Sequence, residues 1–312
     1  MSRQAVLLIA HGSPEREEDI PQFLQNISRG RPISDNVVHE VQHRYSLIGS
    51  SPLTRITQAQ ADGVARELGV PAYVGMRNWH PFIADTLQKM TADGVEQAIA
   101  ICLAPHNSRT SVGLYKQVLF GAGAPFAIDF VEEWHDHPLL IDAFADKLRT
   151  GWRNACEQHG SALPVVFTAH SVPQRTITEG DLYEAQTRET AALVAAKAPE
   201  IGAWKFAFQS QGMSGGEWLG PTVEDTILQL RDSGHKAVFV QPIGFVCDHV
   251  EILFDVDILF RQFAEEHGMK LYRAESLNDS PLFVKAVADL AKNRLAYMSP
   301  DCRSSIETEK IS

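Results

Sequence analysis

Two short apolar runs, each closed by a histidine, constrain this chain more than anything else in it. Residues 5–10 (AVLLIA) lead into His11-Gly12-Ser13-Pro14, and residues 164–169 (PVVFTA) lead into His170-Ser171-Val172-Pro173. A brief run of β-branched and other apolar residues, stopped by glycine, serine or proline, reads as a buried parallel strand feeding a loop. Open parallel sheets bind ligands in the crevice beyond the carboxyl ends of their strands. Each half of the chain therefore offers a histidine where such a fold builds its site.

The pattern recurs along the sequence. Apolar strand candidates fall at residues 5–10, 72–76, 98–104 and 126–131, then at 164–169, 205–210, 237–245 and 270–274. Segments with helical spacing separate them, at 81–92, 138–156, 184–198 and 222–233. This alternation predicts an α/β protein of two similar Rossmann-like lobes, each a four-stranded parallel sheet flanked by helices. The first lobe is expected over residues 1–158 and the second over 159–298, and the polar, aperiodic stretch 299–312 is expected to be a disordered tail.

Composition narrows the function. A net charge of −11 is wrong for a nucleic-acid partner, which calls for a basic face. The chain has no G-x-x-x-x-G-K-[ST], and Gly121-Ala122-Gly123 lacks the further glycine and the strand–helix junction of a dinucleotide site. No stretch is long and apolar enough for a transmembrane helix, and the opening run is too short for a secretion signal. Cytoplasmic residence without integral membrane association is the expectation. The four cysteines, Cys102, Cys156, Cys247 and Cys302, form no C-x-x-C pair, so neither a disulfide framework nor a zinc site is expected.

The second half carries the most unusual segment, Gln241 to Asp257, in which carboxylates follow the end of an apolar strand. Glu251 and Asp255 are four apart and share a helical face, with Asp248 one turn earlier. Like charges at that spacing repel, although the helix N-terminus offsets part of the cost. Alone, the segment reads equally well as a solvated acidic first turn. Its strand, however, should end at the crevice that holds His170. An imidazole and a carboxylate together can hold a divalent first-row metal, and two protein ligands leave positions open for a transient ion.

At this point the residues resemble a known family. Ala169-His170-Ser171-Val172-Pro173 resembles the A-H-S-[LV]-P segment of ferrochelatases, and Gly244 to Glu251 resembles their G-F-x-x-D-H-x-E. Trp218-Leu219-Gly220-Pro221 matches their W-L-G-P. Arg44-Tyr45-Ser46-Leu47-Ile48-Gly49 followed by Ser51-Pro52-Leu53 matches R-Y-x-x-I-G and S-P-L, and a shared block runs from Ala104-Pro105-His106 to Tyr115. The matches run in order over nearly the whole chain and are most similar to the short bacterial form that uses coproporphyrin III.

The resemblance implies the type-II chelatase fold, a tetrapyrrole held between the lobes, and Fe²⁺ inserted into it. It implies His170 and Glu251 as iron ligands and as the groups that take pyrrole protons, with Asp255 as an accessory carboxylate and a π-type turn aligning the acids. By the same correspondence His11, Ser28, Arg29, His43, Arg44, Ser51 and Tyr115 contact the porphyrin, arginines suiting its propionates. Trp218 either stacks on the macrocycle or packs against Leu219. Three departures stand out: His11 replaces the usual tyrosine and could ligate product iron, the loop before Ser51 is one residue short, and Leu259 replaces an outer carboxylate. With only Cys302 near the C-terminus, no iron–sulfur cluster and no resident cofactor are expected. Porphyrin and ferrous iron are the expected partners, and the protein is expected to be a monomer. Protoporphyrin IX as substrate, a sirohydrochlorin cobalt or iron chelatase, and a non-catalytic tetrapyrrole carrier are the alternatives.

Overall fold

Each of the eight apolar runs forms a strand, and each strand lies parallel to its neighbours. A computed structural model describes residues 3–211 and 216–298. In the first half β1 (Gln4–Ala10) is followed by α1 (Ile20–Ser28), α2 (Asp35–Ile48), α3 (Leu53–Leu68) and β2 (Ala72–Met76). Then come α4 (Ile83–Ala92), β3 (Gln97–Cys102), α5 (Val112–Gly121), β4 (Ala127–Val131) and α6 (Pro138–His159). The second half runs β5 (Val165–His170), α7 (Gln174–Thr178), α8 (Tyr183–Lys197), β6 (Trp204–Gln209), α9 (Val223–Asp232) and β7 (Ala237–Pro242). A π-helix (Glu251–Phe260), α10 (Arg261–Glu266), β8 (Lys270–Arg273) and α11 (Pro281–Met298) complete it. The expected tail at 299–312 lies outside the described residues.

Both sheets have four strands in the same spatial order, β2-β1-β3-β4 and β6-β5-β7-β8. β1 and β5 are thus central, with the next strand on one side and the one after it on the other. That reversal of direction is the switch point at which open sheets leave a crevice. Central parallel strands are covered on both faces and need continuous apolar sequence, and Ala5 through Ile9 are indeed fully buried. His11 and His170 therefore stand at the two switch points because of sheet order. β7 ends three residues short of the expected 245, yet Ile243 and Val246 stay buried in the loop beyond it.

The helices do not respect the boundary between the strand sets. Helix α6, from the first half, lies on the second sheet, where a side chain at Gly151 would meet the Phe239 ring at 3.0 Å. Helix α11, from the second half, returns to the first sheet. Gln4 donates to the Leu295 carbonyl at 3.1 Å, and Arg294 pairs with Asp129 at 3.0 Å. One apolar core accordingly runs through residues of both sheets, from Val6 and Leu8 to Phe167, Phe239 and Phe283. The facing loops are tied as well: Asn107 N donates to Gln186 Oε1 at 2.6 Å, and Gln60 Nε2 to the Asn278 carbonyl at 2.8 Å.

Candidate active site

The two switch points open onto one cavity of about 530 Å³. Its walls carry His11, Arg44, Arg77 and Tyr115 from the first sheet's side, and His170, Trp218, His249, Glu251 and Asp255 from the second's. A close-packed glycine shapes each wall. Gly12 has φ of +84°, and a Cβ there would lie 2.8 Å from the Trp79 nitrogen, so the turn after β1 accepts only glycine. A Cβ on Gly244 would lie 2.9 Å from the Ala169 Cα. Glycine at this position lets the acidic segment lie directly on the end of β5.

Three imidazoles face the cavity by one device. The Nδ1–H of His11 donates to the Gly12 carbonyl at 3.0 Å and that of His249 to the Cys247 carbonyl at 3.1 Å, while that of His170 donates to the Ser171 carbonyl. A backbone acceptor on Nδ1 fixes the orientation of each ring and turns Nε2 towards the cavity. The ring of Phe245 separates two of them, 6.2 Å from His170 and 4.4 Å from His249.

What Nε2 meets differs. Glu251 Oε1 lies 3.8 Å from His170 Nε2, and Glu251 Oε2 lies 3.5 Å from His249 Nε2. Burial raises the Glu251 pKa, but His170, the hydrogen bond and charge of His249, and His11 outweigh it and hold the carboxyl at about 2. His11 Nε2 instead accepts from Asn78 Nδ2 at 2.9 Å. Burial, and then the Arg77 guanidinium, lower its pKa to about 4, against the Gly12 carbonyl and Glu251. His11 is a neutral group facing an ionised one.

The π-helix begins at Glu251 itself. Its wider turn keeps Glu251 and Asp255 on the cavity side, and Leu259 continues that line outward at 40% exposure. Asp255 is buried, hydrogen-bonded by Ser210 and 3.9 Å from Arg44. Burial raises its pKa, Glu251 adds to the rise, and Ser210 and Arg44 oppose it. Asp248 is turned away from this face. It accepts from Ser276 at 2.6 Å and Asn278 at 2.9 Å, and Arg273 stands 3.5 Å from it while gripping Asp257 with two contacts of 2.8 Å. Helical spacing fails for Asp248 because the residues from Ile243 to His249 are not helical.

The remaining predicted contacts divide into two sets. Arg44 lines the cavity, but its charge is shared between Glu40 and Asp255 and its guanidinium packs over Phe254 at 5.2 Å. Tyr115 is buried beneath Arg77, and burial raises its pKa. Trp218 lines the cavity and bridges to Pro173, because Leu219 N donates to the Val172 carbonyl at 3.0 Å. The W-L-G-P and A-H-S-V-P segments are thus one local structure. Ser28, Arg29, His43 and Ser51 are not among the lining residues. Arg29 caps α1 with φ of 55°, and both Arg29 and His43 are exposed. Ser51 is buried with its hydroxyl lacking a hydrogen-bond partner. Sequence reasoning assigned no role to His249, which stands in the quoted acidic motif, nor to Arg77 and Asn78, which follow the run 72–76.

The ferrochelatase family model matches residues 3–295. The chain belongs to the ferrochelatase family. It is 50% identical over 308 residues to a ferrochelatase of Acidobacterium capsulatum, covering 94% of this chain and 95% of the relative. It is 34% identical to a coproporphyrin III ferrochelatase of a Geobacillus species, covering 94% and 98%. Among solved structures, the sirohydrochlorin chelatase SirB of Bacillus subtilis subspecies spizizenii, in complex with cobalt, matches with a TM-score of 0.58 at 10% identity, over 95% of this chain and 97% of that one. That likeness establishes the type-II chelatase fold. The protein is a porphyrin metal chelatase of haem biosynthesis. Among the described residues no helix is long and apolar enough to cross a membrane.

Proposed function

We propose that the protein inserts Fe²⁺ into coproporphyrin III, with His170 and Glu251 performing the exchange of protons for metal. The 3.8 Å approach of His170 Nε2 to Glu251 Oε1 on the wall of a macrocycle-sized cavity carries this reading. Metallation removes two pyrrole protons and replaces the water ligands of the ion. A carboxylate held at about 2 is ionised throughout the neutral range, so it serves as a hard oxygen ligand to the ion. His170, with Nδ1 committed to a backbone carbonyl, accepts a pyrrole proton at Nε2. The imidazolium so formed lies beside Glu251, which stabilises it. Asp255, with its raised pKa, is placed to pass that proton onward, which frees His170 to take the second pyrrole proton. On the opposite wall His11 stays neutral and offers the product iron a nitrogen ligand once Asn78 releases it. The same reading takes the protein to be a cytoplasmic monomer without a resident cluster.

Coproporphyrin III is favoured over protoporphyrin IX by the relative of that name and by an unpaired cation in the cavity, taken up below. The test is anaerobic metallation with Fe²⁺, offering each porphyrin separately and following the free-base Q bands. Faster collapse with coproporphyrin III is expected. Faster collapse with protoporphyrin IX refutes the substrate while leaving the chelatase, and binding without collapse of either refutes the chemistry.

A further inference from the structure

The cavity holds one charge that the metallation chemistry above leaves unused. Arg77 follows β2, and its backbone N–H donates to the Ala10 carbonyl at 2.9 Å, which sets it beside His11. Its guanidinium carbon sits 4.8 Å from the centre of the Tyr115 ring, and Nη1 is buried without a hydrogen-bond partner. Among the described residues no carboxylate comes within ion-pair distance of it. The contrast with Arg44, which also lines the cavity, is direct: Arg44 has Glu40 and Asp255.

A guanidinium nitrogen drawn out of water without a partner is costly, because its hydration is lost and nothing replaces it. Stacking on Tyr115 recovers part of that cost and holds the planar fork in place. It does not supply the missing anion. A cavity wall with a fixed fork that lacks a counter-ion is built to receive a carboxylate.

Resting on the chelatase reading, we infer that Arg77 is a carboxylate subsite, taking a propionate of a tetrapyrrole that bears carboxylates on all four rings. Coproporphyrin III presents a propionate to the cavity wall in any in-plane orientation. Protoporphyrin IX carries vinyl groups on two rings, and a vinyl group placed against this fork leaves the cation desolvated and unpaired. Arg77 would thus discriminate between the two porphyrins while taking no part in the metal exchange.

The test is a fluorescence titration of wild type, Arg77→Gln and Arg77→Lys with each porphyrin, alongside the metallation assay. Losing a charge-assisted contact should raise the Kd for coproporphyrin III by about tenfold or more and that for protoporphyrin IX by less than about twofold. Lysine, which keeps the charge but loses the fork, should give an intermediate loss on coproporphyrin III alone. If the glutamine variant does not fold, the lysine variant carries the test. An unchanged coproporphyrin III Kd, equal losses for both porphyrins, or an effect confined to the apparent KM for Fe²⁺ overturns the subsite. A wild type that metallates neither porphyrin overturns the chelatase reading itself, which separates the two failures.

Discussion

His11 and His170 end equivalent strands of equivalent sheets, and both use Nδ1 to grip the carbonyl of the next residue. Their chemistry diverges only in what stands before Nε2. Asn78 caps His11 with an amide, and Arg77 adds a positive charge nearby. His170 meets a carboxylate that is also supported by His249. One scaffold thus yields an amide-capped imidazole on one wall and an imidazole facing a carboxylate on the other, the charged wall for the metal, and a few side chains set the difference. A metal that must be held briefly and passed on needs that asymmetry, since a carboxylate beside the imidazole on both walls would retain it.

The largest effect should come from discharging the charged wall. Glu251→Gln or His170→Ala should lower kcat by about 10²–10⁴-fold, the usual worth of a positioned acid–base group, with porphyrin Kd within about threefold of wild type. Turnover near wild type in either variant would remove that residue from the reaction. Stopped-flow metallation and fluorescence titration together separate the two quantities.

A smaller effect should appear in stability against pH. The folded-state pKa of His11 lies below its ordinary 6.5, so the unfolded chain binds the proton more readily. Its contribution is complete above about pH 6.5 and drains away as pH falls towards about 4. Glu251 behaves in the same sense one step lower, complete above its ordinary 4.5 and lost towards about 2. Buried His106, where burial and then His135 lower the pKa to about 3, adds to the decline below pH 6.5. The midpoint of thermal unfolding should therefore fall through these windows, and His11→Gln should flatten the slope between pH 6.5 and 4. An identical slope in that variant would show that His11 is not held neutral.

The smallest effect concerns the amide that caps His11. Asn78→Leu removes a hydrogen bond to the unprotonated ring, worth about 1 kcal/mol, so the His11 pKa should rise by somewhat less than one unit. NMR titration of the His11 ring reads this directly. An unmoved titration would mean that burial and Arg77 set the charge without the amide.

The strands were legible because central parallel strands demand unbroken apolar sequence, and Ala5 to Ile9 supply it. The placement of His11 and His170 followed from the loops after those runs. The acidic face was only half legible: Glu251 and Asp255 share it, but Asp248 precedes the helix and turns to Arg273. Helical spacing describes a helix, and nothing in the spacing of the acids says where one begins. The π-helix entered through the family resemblance alone. Arg77 and Asn78 follow a strand run as His11 does, so the same rule extended to β2 finds them. The crossing of α6 and α11 was not legible, because an amphipathic pattern reports that a face is covered and not which sheet covers it.

That crossing bears on the order in which the molecule can be made. Every side chain named in the cavity, from His11 to Asp255, leaves the ribosome before residues 281–298 do. Until those residues seat against α3 and the first sheet, an emerging chain already possesses all of the chemistry without the last of the clasps that hold its two walls at a working distance. Competence to grip a flat ring, on this view, waits for residues 281–298.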